Sequence, residues 1–432
     1  MWIFDKMSGR GIFGLILSTL LLAAPALADD YHYNNILVGD RAAGMGGAFT
    51  AVSDNASGCY YNPAGIVYGV GSNLSASVNA FSVSNKTYKG ALTDVSGNAL
   101  DWEQTSTVLL PNFFGATYDS PYGTLGFSYA VPDSVQRKQK QTFTNIKSSI
   151  PGAQIDEYIL NINDVDNTYV FGPSFGMKAT DDLSFGVTLY GFYRDATVIR
   201  NQLLRVDNNG NDEFEWNNGY IYRTEYGVKP MLGAMWSPTE KLVLGLTVSK
   251  GILFDSSNEQ QVTFRGLSGY TYSGLPDFSN PDSLVFLKVD DDTKRKFPLT
   301  STLGLAYFAS PELLLSLDVS YHDAPEDGME SVINAAAGIE YYLTDRYALR
   351  AGLFSDLANT PDVKSGVTNQ DEHVDLFGGS ISLARFTRST STTVGVTYSY
   401  GSGDSQIISG SSSVQDLESS NLLAFLSAAY NF

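Results

Sequence analysis

The chain has 432 residues, with 26 Tyr, 24 Phe and 41 Gly, and only 17% of it is charged. Its formal charge of −19 argues against a nucleic-acid partner, which would need a basic face. A single cysteine, Cys59, excludes an intrachain disulfide.

Residues 1–28 read as an export signal. Lys6 and Arg10 are basic, Ile12 to Ala23 is apolar, and Ala26-Leu27-Ala28 has the small-x-small cleavage pattern. Met7 is an alternative start. Removal of this signal takes Asp5, Lys6 and Arg10 and leaves 25 basic against 45 acidic residues, a charge of −20. Cys59 lies too far from the cleavage site to carry a lipid anchor and is expected to pack as a small apolar residue. No later segment offers 18 consecutive apolar residues, so no helix is expected to span a bilayer.

Residues 29–72 differ from all that follows. "DRAAGMGGAFTAVSDNASGCYYNPAG" is built from small residues, with Arg41, Gly44, Gly46, Gly47 and then Asn62-Pro63-Ala64-Gly65. Such a coil cannot pair as a strand. Glycine tolerates positive φ at bends, and Asn-Pro forms turns.

From residue 73 onward apolar and polar residues alternate with period two. "LLLSLDVSYH" puts Leu313, Leu315, Leu317, Val319 and Tyr321 on one face and Ser316, Asp318, Ser320 and His322 on the other. "DLSFGVTLY", "KLVLGLTVS" and "TTVGVTYSY" repeat the pattern. A soluble sandwich also alternates. Here, however, the second face is polar or glycine, the order of a lipid-facing barrel. The alternation predicts about fourteen strands, at 73–88, 106–119, 123–132, 161–179, 183–203, 215–236, 241–254, 288–309, 312–323, 331–343, 346–355, 371–386, 391–402 and 417–432. Short turns alternate with long polar connections near 91–105, 133–160, 205–214, 255–290, 324–330, 356–370 and 402–416. That asymmetry belongs to outer-membrane barrels, whose periplasmic turns are short. The chain closes on Tyr430-x-Phe432, an aromatic end read as a signal to the barrel-assembly machinery.

The fold class is therefore all-β, a transmembrane antiparallel barrel of residues 73–432. With strands ~4.8 Å apart and tilted ~40°, fourteen of them enclose a backbone diameter of roughly 28 Å. Side chains cannot fill that bore, and residues 29–72 are the natural plug. The segment "GDRAAGMGGAFTAVSDNASGCYYNPAG" resembles the N-terminal hatch of the FadL/TodX family of outer-membrane transporters of hydrophobic compounds. "FPLTSTLGLAYFASPELLLSLDVSY" and "GIEYYLTDRYALRAGLFSD" resemble its paired C-terminal strands.

The resemblance implies a hydrophobic small-molecule ligand, such as a long-chain fatty acid or aromatic hydrocarbon. It also implies passive uptake, and a lateral gap at a kink in the third strand. That strand is "GTLGFSYAVP", with Gly123, Gly126 and Pro132 as candidates for the opening. Inward charges are expected at Lys178, Lys229, Asp318, Glu340 and Arg350, paired with one another and with Asp40 and Arg41 of the hatch. Loop cations Arg137, Lys138, Lys140, Lys294, Arg295 and Lys296 are candidates for an anionic headgroup of the ligand or for lipopolysaccharide.

No enzyme chemistry is indicated. His32, His322 and His373 form no metal-spacing cluster, and no Ser sits in a nucleophile elbow. "DVDNT" and "DDDT" lack the spacing of a calcium loop and read as solvated acids. Neither a metal nor a cofactor is expected, and the barrel is expected as a monomer in outer-membrane lipid. A role in protein secretion, assembly or adhesion is the alternative, because related Gly-rich openings occur in secretion barrels.

Overall fold

A computed structural model describes residues 31–148, 152–208, 210–267, 285–408 and 412–432. The export signal read at 1–28 lies outside them. Fourteen antiparallel strands form among the described residues. They are β1 (Asn73–Thr93), β2 (Ala99–Ser120), β3 (Gly123–Lys147), β4 (Ala153–Lys178), β5 (Leu183–Asn208) and β6 (Asn211–Thr239). β7 runs as Leu242–Lys250 and Ile252–Leu267, and β8 as Val285–Asp291 and Leu299–Ser310. Then come β9 (Leu313–His322), β10 (Val332–Thr344), β11 (Tyr347–Asp356), β12 (His373–Val374 and Leu376–Phe386), β13 (Thr390–Ser405) and β14 (Gln415–Asn431). Each strand pairs with the next, and β1 pairs with β14 from Leu74↔Tyr430 to Tyr88↔Leu417, which closes the barrel.

At the short-turn end the expected order holds. Leu125, Phe185, Leu232, Leu303, Leu317 and Val394 are exposed on the outer wall, while Ser174, Ser184, Thr188 and Ser316 are buried inside. Tyr118, Trp236, Tyr347 and Tyr430 ring the outer wall near the turns. Higher up, Tyr129, Tyr169, Tyr193 and Tyr226 stand side by side on β3 to β6, with ring centroids 5.1 to 6.2 Å apart. Leu183 and Tyr193 are ten residues apart on β5. At ~3.3 Å per residue and ~40° tilt that is roughly 25 Å, the height of an outer-membrane apolar band.

Above the tyrosines the polarity reverses. Tyr88, Trp102, Phe143, Tyr158, Leu160 and Leu417 are buried together inside the barrel. Lys138 and Lys140 face out. Here water lies outside, so the apolar side chains gather in the interior, beside buried ion pairs such as Arg137–Asp164.

The outer strand ends correct the expected spans. Residues 133–160 were expected as a long connection, but β3 and β4 pair without a long loop up to Lys147↔Gln154. Likewise β5 and β6 pair up to Asn208↔Asn211. β2 begins at Ala99 instead of 106. Single-residue irregularities in β1, β2 and β3 between residues 79 and 133 exchange their inner and outer faces, which accounts for the altered pattern.

At the chain end Tyr430 and Phe432 stack on the outer surface with centroids 6.1 Å apart, and the Phe432 amide donates to the Ser72 carbonyl at 3.0 Å. We expect removal of Phe432 to lower the yield of heat-modifiable barrel several-fold and to leave protease-sensitive chain. Unchanged barrel yield would show that this aromatic end plays no part in assembly.

Candidate functional site

Residues 31–66 lie inside the barrel, and Val70 and Gly71 emerge exposed at the short-turn mouth. Two short helices, α1 (Asp40–Gly44) and α2 (Gly58–Tyr61), and a 3-10 turn at Ile66–Tyr68 are joined by tight bends. Gly46 and Gly47 have φ of 67° and 87°, which L side chains rarely adopt.

Inward glycines on the wall let this segment approach closely. Gly176, Gly186 and Gly233 are direct neighbours across β4, β5 and β6. A Cβ on Gly186 would come within 2.2 Å of the Pro63 carbonyl carbon, and one on Gly233 within 2.1 Å of Asn62 Oδ1. Gly338 and Gly352, paired across β10 and β11, make the same room for Met45 and Gly46. Asn62 uses this contact fully. Its Nδ2 donates to the carbonyls of Thr50 (2.8 Å) and Ala234 (3.1 Å), and its Oδ1 accepts the Ala64 amide (3.0 Å). Ser184 Oγ donates to the Ala64 carbonyl at 2.8 Å. Asn62-Pro63-Ala64 thus docks backbone against glycine.

Charge fixes the other side. Glu340 is fully buried and bound by two arginines, Arg41 Nη2 at 2.6 Å and Arg350 Nε at 2.7 Å. Arg41 also meets Asp54 at 2.5 Å, and Arg350 faces Asp40 at 3.7 Å. Asp318 accepts the amides of Phe49 (2.9 Å) and Thr50 (2.8 Å). Lys229 lies 5.6 Å from the Tyr60 ring. Lys178 stands exposed at the short-turn mouth, 4.8 Å from the Tyr68 ring. Four of the five expected inward charges therefore contact the segment from within the wall, and Lys178 does so at the rim.

The expected headgroup cations are placed differently. Arg137, Lys138 and Lys140 belong to β3 and not to a loop. Arg137 is buried, with Asp164 and Gln104 as partners. Arg295 pairs with the buried Glu225 at 2.9 Å and lies over Phe297. Lys294 donates to the Phe254 carbonyl, and Lys296 is exposed. The acids of "DVDNT" are likewise buried partners and not solvated ones, with Asp166 bound to Arg194 at 2.8 Å. His322 is buried, its ring stacked on Tyr33 at 4.1 Å. Arg137, Lys138 and Lys140 were read as loop because β3 extends further than the apolar alternation does, whereas Lys294, Arg295 and Lys296 lie in the interval between the two runs of β8.

Gly123 and Gly126 do not flank a gap. Their stretch of β3 pairs continuously with β2 from Gly123 to Ala130. Gly126 instead makes room for Cys59, whose Sγ would lie 2.5 Å from an added Cβ. Burial of Cys59 pushes its thiol up to about 11. At pH 8 we expect the folded barrel to react with a maleimide at less than about a hundredth of the rate of the heat-unfolded chain, read by mass spectrometry. Equal rates would mean that the segment leaves the lumen readily.

The break in the wall lies higher. β2 and β3 pair at Phe113↔Ala130 and again, in the same register, at Ser106↔Arg137. Between them no pairs form. Pro111 and Pro132 fall opposite one another in this interval, and neither has an amide to donate. A cavity of about 130 Å³ reaches it, lined by Asn35, Ile36 and Leu37 of the N-terminal segment, Val108 of β2, and Ser134 and Val135 of β3. Alternation alone could not show this break. The two facing prolines were the available signal.

No protein-family model matches the chain, and no curated protein matches it in sequence. Solved structures do match in three dimensions. A Pseudomonas aeruginosa FadL homologue matches with TM-score 0.61 over 93% of this chain and 100% of its own, at 14% identity. The chain has the FadL/TodX-type fold. The Pseudomonas putida toluene transporter TodX matches with TM-score 0.57 (93% and 99% covered, 12% identity). The Ralstonia pickettii toluene transporter TbuX matches with 0.54 (93% and 99%, 13%). A closed FadL/TodX-type barrel with an apolar belt belongs in an outer membrane.

Proposed function

We propose that this barrel passes small hydrophobic molecules across the outer membrane. Residues 29–72 hold the lumen shut, and release is sideways through the break between β2 and β3, at the upper edge of the apolar belt, where Leu109 faces outward. The observation that carries the reading is the cavity that opens at that break, directly above the glycine-docked segment. Physical cost favours it. Each buried CH₂ is worth ~0.8 kcal/mol, so release of an apolar ligand into the aqueous periplasm is unfavourable and release into lipid is not. The toluene transporters of the same fold support the ligand class.

Val135 lines the cavity at the break and is only half-buried. In a strain lacking the wild-type gene, Val135→Trp should reduce uptake of radiolabelled toluene about tenfold or more, since a ring added at a constriction excludes another ring. Conductance in planar bilayers should stay at the wild-type level, because the N-terminal segment is untouched. Wild-type uptake by this variant, with the barrel confirmed folded, would remove the break as the exit.

A further inference from the structure

The cavity wall is not that of a pocket for pure hydrocarbon. One row of inward side chains crosses four strands in direct register: Ser399 on β13, Asn421 on β14, Ser84 on β1 and Ser106 on β2. All four line the cavity. Asn421 Nδ2 donates to Ser399 Oγ at 3.3 Å. The adjacent row alternates Thr397, Leu423, Ser82 and Val108 on the same surface. Ile36, Leu37 and Val108 form an apolar surface on the same cavity. Neutral donors and acceptors thus stand directly beside apolar side chains in one cavity.

Charge narrows the choice. The lining holds two cations, Lys86 and Arg137, and each is bound by a carboxylate: Lys86 by Glu372, and Arg137 by Asp164. Asp133 and Asp356 add two more acids to the lining. Acids outnumber bases, and a carboxylate ligand would lose water without gaining a cation. Size narrows it further, because about 130 Å³ is close to the ~150 Å³ of an apolar cavity that takes up benzene.

We infer that the cavity selects neutral single-ring compounds that carry a hydroxyl or carbonyl oxygen, and rejects carboxylates. The ring packs on Ile36, Leu37 and Val108, and the oxygen exchanges hydrogen bonds with the Ser/Thr/Asn rows. The inference rests on the transport reading and gives it a ligand class.

Three probes of one shape test it: toluene, p-cresol and p-toluate, titrated calorimetrically at neutral pH into the barrel in lipid nanodiscs, with empty nanodiscs as reference. p-Cresol should bind at least about tenfold tighter than p-toluate, and severalfold tighter than toluene, which leaves the hydroxyl rows unmatched. Ser84→Ala combined with Thr397→Val should weaken p-cresol and spare toluene. Glu372→Gln removes the acid beside Lys86 and should tighten p-toluate about fivefold or more. The ranking on the unmodified barrel needs no variant to fold. If p-toluate matches p-cresol, or toluene binds tightest, the inference is overturned while hydrophobic transport stands. If none of the three binds and intact cells take up none, transport itself falls, and the inference with it.

Discussion

A barrel lacking residues 29–72 is expected to conduct small ions at least about tenfold better than the full chain, because fourteen strands enclose a bore that side chains cannot fill. The full-length barrel has Asn62-Pro63-Ala64 seated on Gly176, Gly186 and Gly233, and Met45 and Gly46 seated on Gly338 and Gly352. Deletion leaves these glycines facing water across an open lumen. Single-channel recording of both forms in planar bilayers gives the comparison. Equal conductance would mean that the wall itself collapses inward and that the segment serves another purpose. A milder variant makes the same point. Gly186→Val should put a branched side chain into the Pro63 backbone and raise conductance without deletion.

The second large effect is expected at Glu340. Its carboxylate is enclosed by Arg41 and Arg350, and none of the three side chains is more than 14% exposed. Glu340→Gln keeps the shape and removes the charge, which leaves Arg41 with Asp54 alone and Arg350 with Asp40 alone, at 3.7 Å, in a confined site. Breaking a buried pair in this way costs ~3–5 kcal/mol. The loss should appear as a lower unfolding temperature and as intermittent conductance from a loosened N-terminal segment. Replacing Arg350 by Met in the Glu340→Gln background should restore part of it, since Arg41 keeps Asp54, Asp40 keeps the Thr393 hydroxyl, and an apolar side chain of similar volume is tolerated. If the single variant shows wild-type melting and stays silent in the bilayer, the charge cluster does not hold the segment in place.

The parts of this fold that were legible in the sequence are those in contact with lipid. There, one face has to be apolar, so "LLLSLDVSYH" and "TTVGVTYSY" announce their strands, and the turns between them are short and polar. Above the tyrosines that constraint disappears. "QRKQKQTFTNIK" lies in β3, yet its outer face carries Lys138 and Lys140 and its inner face mixes Arg137 with Phe143. Such a strand looks like a charged loop. Arg137 was misplaced for the same reason, because an Arg within an unrecognised strand points at a neighbouring strand and finds an acid there. The charges of the lower lumen were easier to place, since Asp318, Glu340 and Arg350 interrupt otherwise regular strands on the polar face. The cavity was not legible at all. It depends on which rows of Ser and Thr align across strands distant in sequence, and that is set by register.

The reversal of polarity at the tyrosine row has a consequence for how deeply the molecule sits. If the barrel sank by one pair of residues, roughly 5 Å of height, Asp195 would follow Tyr193 down the same outer face into hydrocarbon. If it rose by as much, Trp236 and Tyr430 would be lifted from the headgroup layer at the other end. A charged outer-face group in hydrocarbon costs up to ~2–4 kcal/mol, depending on depth. The barrel is therefore pinned in elevation, and the lipid has to adapt to it. A bilayer thicker than its belt would thin locally around the wall. The break between β2 and β3, which begins two residues above Tyr129, would then always stand at one fixed height over the belt's upper edge, whatever membrane surrounds it.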